Sequence, residues 1–218
     1  VRDGLTLSEY PGEGTFFELS GNISERATRD DANQLTILWD RSVSRLDDDV
    51  EREAKLAAKI ARKLGATSVT VVLFDSGEIE TVIASTDALE ERLKKVRYAG
   101  GTSFEGLAEI VNQTNGTCLL FSDGRATINQ RDRVAGKCRV TALSSGPEVD
   151  RAWLASQASM TGGSFIDLAA MEDVEVLERV MAPPSAVTLQ RASVSASHFS
   201  LWSFKISAIC DLRPSLIA

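Results

Sequence analysis

Five side chains, far apart in the sequence, carry the same kind of donor atom. Asp40, Ser42 and Ser44 form an Asp-x-Ser-x-Ser run, Thr102 follows Gly100 and Gly101, and Asp123 precedes Gly124. Two carboxylates and three hydroxyls are hard oxygen donors, a set that suits Mg²⁺, Mn²⁺ or Ca²⁺ and suits softer metals poorly. No His or Cys stands in these three segments, which excludes an ordinary zinc site there. Short Ser and Thr side chains let a cation sit close to the backbone, and the paired glycines let the Thr102 turn bend sharply toward it. Two formal negative charges leave a dication electrophilic toward one further ligand, most naturally a carboxylate from another molecule. The plainer alternative makes Ser42 and Ser44 helix caps and Asp123 a turn residue. It leaves the order of three separated segments unexplained.

For these groups to meet, they must stand at one edge of a sheet. Residues 35–39, 68–74, 117–121 and 139–143 are near-continuously apolar, as strands covered on both faces should be. A short turn at Asp75 and Gly77 leads into residues 79–84, which are expected to run antiparallel at the sheet edge, and residues 163–168 supply a sixth strand. Helices are expected over 47–64, 87–96, 103–113, 150–160 and 171–181. The first is the clearest: it has acids at its start, Lys and Arg at its end and Gly65 to close it. Strand and helix alternating in this way describe an α/β domain with a mostly parallel, doubly wound sheet, and Asp40 and Asp123 fall at carboxyl ends of strands, where such folds bind ligands.

Pro183 and Pro184 end the alternation. Residues 202–208 alternate apolar and polar as a half-buried strand does, and residues 15–19 are a candidate partner. The expected organisation is therefore an N-terminal extension over 1–32, an α/β domain over 33–182 and a C-terminal β extension over 183–218, with the two termini building one small β appendage. The chain opens on Val1 without a leader-like segment, which suggests a processed or excised form.

Composition narrows the partners. The 24 Lys and Arg against 31 Asp and Glu give a net charge of −7, so no basic field exists to draw in nucleic acid or anionic lipid. No apolar run approaches the roughly 18 to 20 residues that cross a bilayer. Cys118, Cys138 and Cys210 lack CxxC spacing; the first two sit in apolar segments, where a small thiol ordinarily fills core, and a disulfide stays open. His198, the only histidine, lies in the Ser-rich tail and makes no triad.

The strand followed by Asp40, Ser42 and Ser44, Thr102 in a Gly-Gly-Thr turn and Asp123 in an Asp-Gly turn resemble the von Willebrand factor type A (vWA) domain, and all five metal-site positions match. The resemblance covers about residues 33–181. It implies a Rossmann-like doubly wound fold and metal-dependent adhesion or assembly. Mg²⁺, or Mn²⁺ or Ca²⁺, would be held by Asp40, Ser42, Ser44, Thr102 and Asp123, and a protein partner's Asp or Glu would complete the shell. Arg41, Arg45, Ser103 and Arg125 are expected at the rim, where arginine favours an acidic partner. Residues 38–44, with a Phe-containing strand upstream, resemble bacterial proteins in which a VIT domain precedes the vWA domain; that subgroup implies an extracytoplasmic or cell-surface location.

In integrin β subunits the run continues into paired acids, and Asp47 and Asp48 are similar, which makes them candidates for a second ion. First-turn acids also simply favour a helix start. An Mg²⁺-dependent hydrolase or phosphotransferase is the rival reading, but the three segments offer no His or Lys as general base, and Ser42 stands where a phosphoaspartate enzyme of the haloacid dehalogenase type needs an acid. A structural vWA domain without an active metal site is the third. The expectation is a non-enzymatic binding module.

Overall fold

The computed structural model describes residues 4–10, 14–20, 34–128, 133–134, 136–182, 192–196 and 204–208. Ten strands are described: β1 (Gly4–Tyr10), β2 (Gly14–Ser20), β3 (Leu35–Asp40), β4 (Ser68–Phe74), β5 (Glu80–Ser85), β6 (Thr117–Phe121), β7 (Arg139–Ser144), β8 (Phe165–Asp167), β9 (Ala192–Ala196) and β10 (Phe204–Ala208). Five helices accompany them: α1 (Val50–Lys63), α2 (Leu89–Lys94), α3 (Leu107–Gln113), α4 (Arg151–Ser159) and α5 (Asp173–Met181).

Strands β3 to β8 form one six-stranded sheet in the order β5-β4-β3-β6-β7-β8. Every neighbouring pair is parallel except β4 and β5, the antiparallel edge pair. The chain moves outward from β3 through β4 to β5, then returns to the other side of β3 to lay down β6, β7 and β8. The crevice between the carboxyl ends of β3 and β6 is therefore the topological switch point, where an open α/β sheet binds ligands. This is the doubly wound architecture expected from the sequence.

Alternation along the strands sorts the core into two layers. Ile37 and Trp39 of β3, Val71 and Leu73 of β4 and Leu119 and Phe121 of β6 pack with α1, α2 and α5, and the alanines Ala54, Ala57, Ala58 and Ala61 give α1 its contact face. Leu38, Val72, Phe74 and Leu120 face the other way, onto Leu107 and Val111 of α3 and Leu154 and Ala158 of α4. One backbone approach is close enough to dictate a residue: a Cβ on Gly163 would overlap the Val140 carbonyl of β7. Gly163→Ala is expected to destabilise by about 2 kcal/mol, because a backbone atom cannot swing aside as a side chain does; an unchanged urea midpoint would refute this.

Two features depart from the expectations. The helix expected over 47–64 is instead a 3-10 turn at Val43–Asp47 followed by α1, whose N-cap is Asp49, accepting from the Arg52 N–H at 3.0 Å. Among the described residues the two termini share no ladder: β2 pairs antiparallel with β1, and β10 with β9. Period-2 alternation marks which side chains share a face and leaves the partner strand open. His198, Trp202 and Cys210 lie outside the described residues.

Candidate metal centre

The switch-point crevice is built from three loops. The first follows β3 and carries Asp40, Ser42 and Ser44. Asp40 and Ser42 are wholly buried, whereas Ser44 is exposed. The Ser42 N–H donates to Asp40 Oδ1 at 3.0 Å, and the Ser42 and Ser44 hydroxyls share a hydrogen bond at 3.0 Å. Asp40 Oδ2 accepts from Ser122 Oγ at 2.6 Å, which joins this loop to the one after β6.

The second loop brings Thr102. It is sewn to the first by two backbone hydrogen bonds, Ala99 N–H to Arg41 O at 3.0 Å and Val43 N–H to Gly100 O at 3.1 Å. Gly100 has φ of 71°, a left-handed conformation suited to glycine, and a Cβ on Gly101 would collide with Thr127 and Ile128. The third loop follows β6 and carries Asp123. Thr127 and Ile128 donate backbone N–H groups to Thr102 O at 3.1 and 3.2 Å, and Thr127 Oγ1 accepts from the Thr102 N–H at 2.7 Å. Asp123 Oδ1 accepts from the Arg125 N–H at 2.9 Å, while its carbonyl accepts from the Asp150 N–H at the start of α4 at 2.8 Å.

Two polar atoms in this crevice, Thr102 Oγ1 and Asp123 Oδ2, are buried without a hydrogen-bond partner. Buried oxygens are nearly always satisfied, so a pair of orphans on adjoining loops is informative. Together with Asp40, Ser42 and Ser44 they make an all-oxygen donor set of two carboxylates and three hydroxyls, which fits a hard dication. Among the described residues no group of three or more His, Cys, Asp and Glu side chains forms a metal cluster, so hydroxyls must supply the rest of any such shell. Burial pushes the Asp40 carboxyl above its ordinary range, opposed by the nearby Arg45 charge and the hydrogen bonds from Ser122 and Ser42; a nearby dication favours the ionised form.

The expected rim is corrected by burial. Arg45 has no exposed surface. Its guanidinium pairs with Asp48 and Glu53, donates to the Phe121 carbonyl at 2.8 Å and the Asp40 carbonyl at 3.3 Å, and lies 5.8 Å from the Trp39 ring centre. It holds the ends of β3 and β6 together from beneath and cannot touch a partner. That pairing also corrects the second-ion reading: the Asp48 carboxylate is committed to Arg45 with a side chain only 3% exposed, while Asp47 is exposed at the end of the 3-10 turn. Arg41 is half-buried and held by Asp75 at 2.8 Å and Glu80 at 3.0 Å. Arg125 is exposed and pairs with Glu148, and Ser103 Oγ accepts from the Glu105 N–H at 3.3 Å.

Sequence reasoning did not single out Ser122, Thr127 or Glu53. Ser122 and Thr127 orient Asp40 and Thr102 through the bonds above, and Glu53 holds Arg45. Ser122 had a signal, its place beside Asp123 at the end of a buried strand; Thr127 had none.

Comparison with protein-family models finds no match, and comparison with curated proteins finds none either. Among solved structures the chain is similar to a von Willebrand factor type A protein from Catenulispora acidiphila, at 15% identity and a TM-score of 0.42. That likeness covers 68% of this chain and 41% of the other, so this chain spans less than half the length of that structure. It is also similar to an uncharacterised membrane spanning protein from Vibrio fischeri, at 13% identity and a TM-score of 0.29, over 68% of this chain and 96% of that one. The described residues on their own establish a doubly wound α/β sheet whose switch point gathers two carboxylates and several hydroxyls on three interlaced loops.

Proposed function

We propose that this chain is a vWA-type protein-binding module that holds one divalent cation, Mg²⁺ by preference, at Asp40, Ser42, Ser44, Thr102 and Asp123, and takes the carboxylate of a partner's Asp or Glu as a further ligand. The observation that carries this reading is the pair of orphaned buried oxygens, Thr102 Oγ1 and Asp123 Oδ2, at the switch point. Leaving them bare costs on the order of 1 to 3 kcal/mol each, and a cation would satisfy both. Bound there, the ion supplies Lewis acidity toward an incoming oxygen. The chain's own part is to fix the geometry: Ser122 and the Ser42 N–H hold Asp40, Thr127 holds the Thr102 loop, and Arg45 fixes the strand ends. The three motifs around Asp40, Thr102 and Asp123 contain no His or Lys to move a proton, which favours binding over turnover. No helix among the described residues is long and apolar enough to cross a membrane. The disulfide between Cys118 and Cys138 favours an oxidising compartment, in line with an extracytoplasmic placement.

Calorimetric titration of Mg²⁺ or Mn²⁺ into EDTA-stripped protein tests the reading. A single site is expected in the wild type. Ser122→Ala, which removes only a supporting group, should weaken it roughly 10-fold, and Asp123→Ala by more than roughly 100-fold. Equal heats across all three proteins would sink the assignment.

A further inference from the structure

We infer that the partner's acid is recognised within an aliphatic collar, so that the partner presents a single Asp or Glu beside branched apolar side chains rather than a run of acids. The inference deepens the proposed function and rests on the site holding a cation. Large apolar side chains stand exposed at only a few described positions: Val43 at 48%, Leu46 at 62%, Ile128 at 43%, Ile83 and Val174. Ile83 lies on the edge strand β5 and Val174 on α5. The other three lie on the candidate metal loops, Val43 and Leu46 in the turn after β3 and Ile128 in the loop after β6. Val43 sits between Ser42 and Ser44, and its N–H bonds to Gly100 O. Ile128 packs on the same turn: its Cδ1 and Cγ1 lie 3.0 Å from where a Gly101 Cβ would be, and its N–H bonds to Thr102 O. Leu46 follows Val43 by three residues in a 3-10 turn, a spacing that places both side chains on one side. Isolated apolar residues on a surface are ordinary, but three gathered on the loops of one site are not.

Charge at the rim selects the kind of partner. Arg45 is buried and so absent from the rim, Arg41 is held by Asp75 and Glu80, and Arg125 is paired with Glu148, so both rim arginines already have acidic partners. The chain as a whole carries −7. An acidic run would meet repulsion beyond its first carboxylate, whereas aliphatic neighbours would cover Val43, Leu46 and Ile128 and exclude water from the bond at the centre, as the surround of a binding hot spot does.

The probes are acetate and 4-methylpentanoate, titrated in Mg²⁺ and in EDTA and followed by amide NMR shifts. A buried methylene is worth about fourfold in affinity, so partial cover of the longer chain should tighten its binding roughly tenfold over acetate. EDTA should abolish both. The triple variant Val43→Ser, Leu46→Ser, Ile128→Ser, all at exposed positions, should keep the Mg²⁺ affinity and the acetate affinity and lose the gain from the longer chain. The collar is overturned if the wild type binds both acids alike, if the gain survives in the triple variant, if tetra-aspartate binds more tightly than 4-methylpentanoate, or if Mg²⁺ is taken up and no carboxylate follows. Absence of Mg²⁺ uptake by the wild type would instead remove the cation site itself, and the collar with it.

Discussion

Replacing Arg45 with Met should cost roughly 3 to 5 kcal/mol of stability, the range for breaking a buried ion pair from one side. Arg45 is fully buried against two carboxylates, Asp48 and Glu53, the second of which is itself wholly buried. Met fills much of the volume but leaves both acids in a medium that disfavours their charge. The loss therefore comes from stranded acids rather than from a missing contact, and this has two checkable consequences. The double variant Arg45→Met, Glu53→Leu should recover a large part of the loss, since a buried pair exchanged for apolar groups is often neutral. The penalty should also shrink as pH falls. Burial raises the Glu53 carboxyl above its ordinary range, with Arg45 opposing the rise. Without Arg45 the folded state of the variant holds that proton to higher pH than the unfolded chain does, so the folded state binds more protons and stability drops as pH rises through the acid range and above it. Urea denaturation of the wild type and both variants at acidic and neutral pH measures this. A double variant no more stable than the single one, with a pH-independent gap, would show that Arg45 acts through packing alone.

The same residues show what was legible from sequence. The sheet was, because continuous apolar runs mark strands covered on both faces and a tight turn at Asp75 forces the antiparallel edge. The placement of Asp40 and Asp123 at one crevice followed, since both end parallel strands. Arg45 was misplaced because its spacing from Ser44 says nothing about depth. Glu53 held the missing signal: it shares a helical face with Ala57 and Ile60, both fully buried, and an acid on such a face needs an internal cation. The eight residues from Arg45 to Glu53 are joined only through the break between the 3-10 turn and α1, which no periodicity announces. The separate terminal ladders were partly legible. Leu5 and Leu7 alternate with polar neighbours ahead of Pro11 and Gly12, a turn signal that favours a local hairpin over a distant partner.

Reduction of the disulfide between Cys118 and Cys138 is expected to cost about 3 kcal/mol, which for a domain of this size lowers Tm by about 10 °C. The bridge closes a loop of 20 residues in sequence, and that excursion from β6 to β7 is the long connection with no described helix. A helix would supply its own hydrogen bonds against the entropy of ordering so many residues. The described part of the connection is anchored instead by the buried Val134, whose N–H donates to Gln157 Oε1 at 3.0 Å, and the covalent tie restricts the unfolded chain. The tie sits where Cys118 lies opposite Val140, near the entry to both strands, whereas Ser122, Asp123 and Thr127 leave the other end of β6. Because Asp123 and Thr127 are fixed by bonds of their own to Asp150 and Thr102, Mg²⁺ binding by the folded protein should survive reduction with little change in affinity even as Tm falls. Scanning calorimetry and Mg²⁺ titration on reduced protein, with free thiols counted to prove reduction, separate the two effects. A Tm that does not move, or a cation affinity that collapses while the protein stays folded, would show that the bridge does not divide the work in this way.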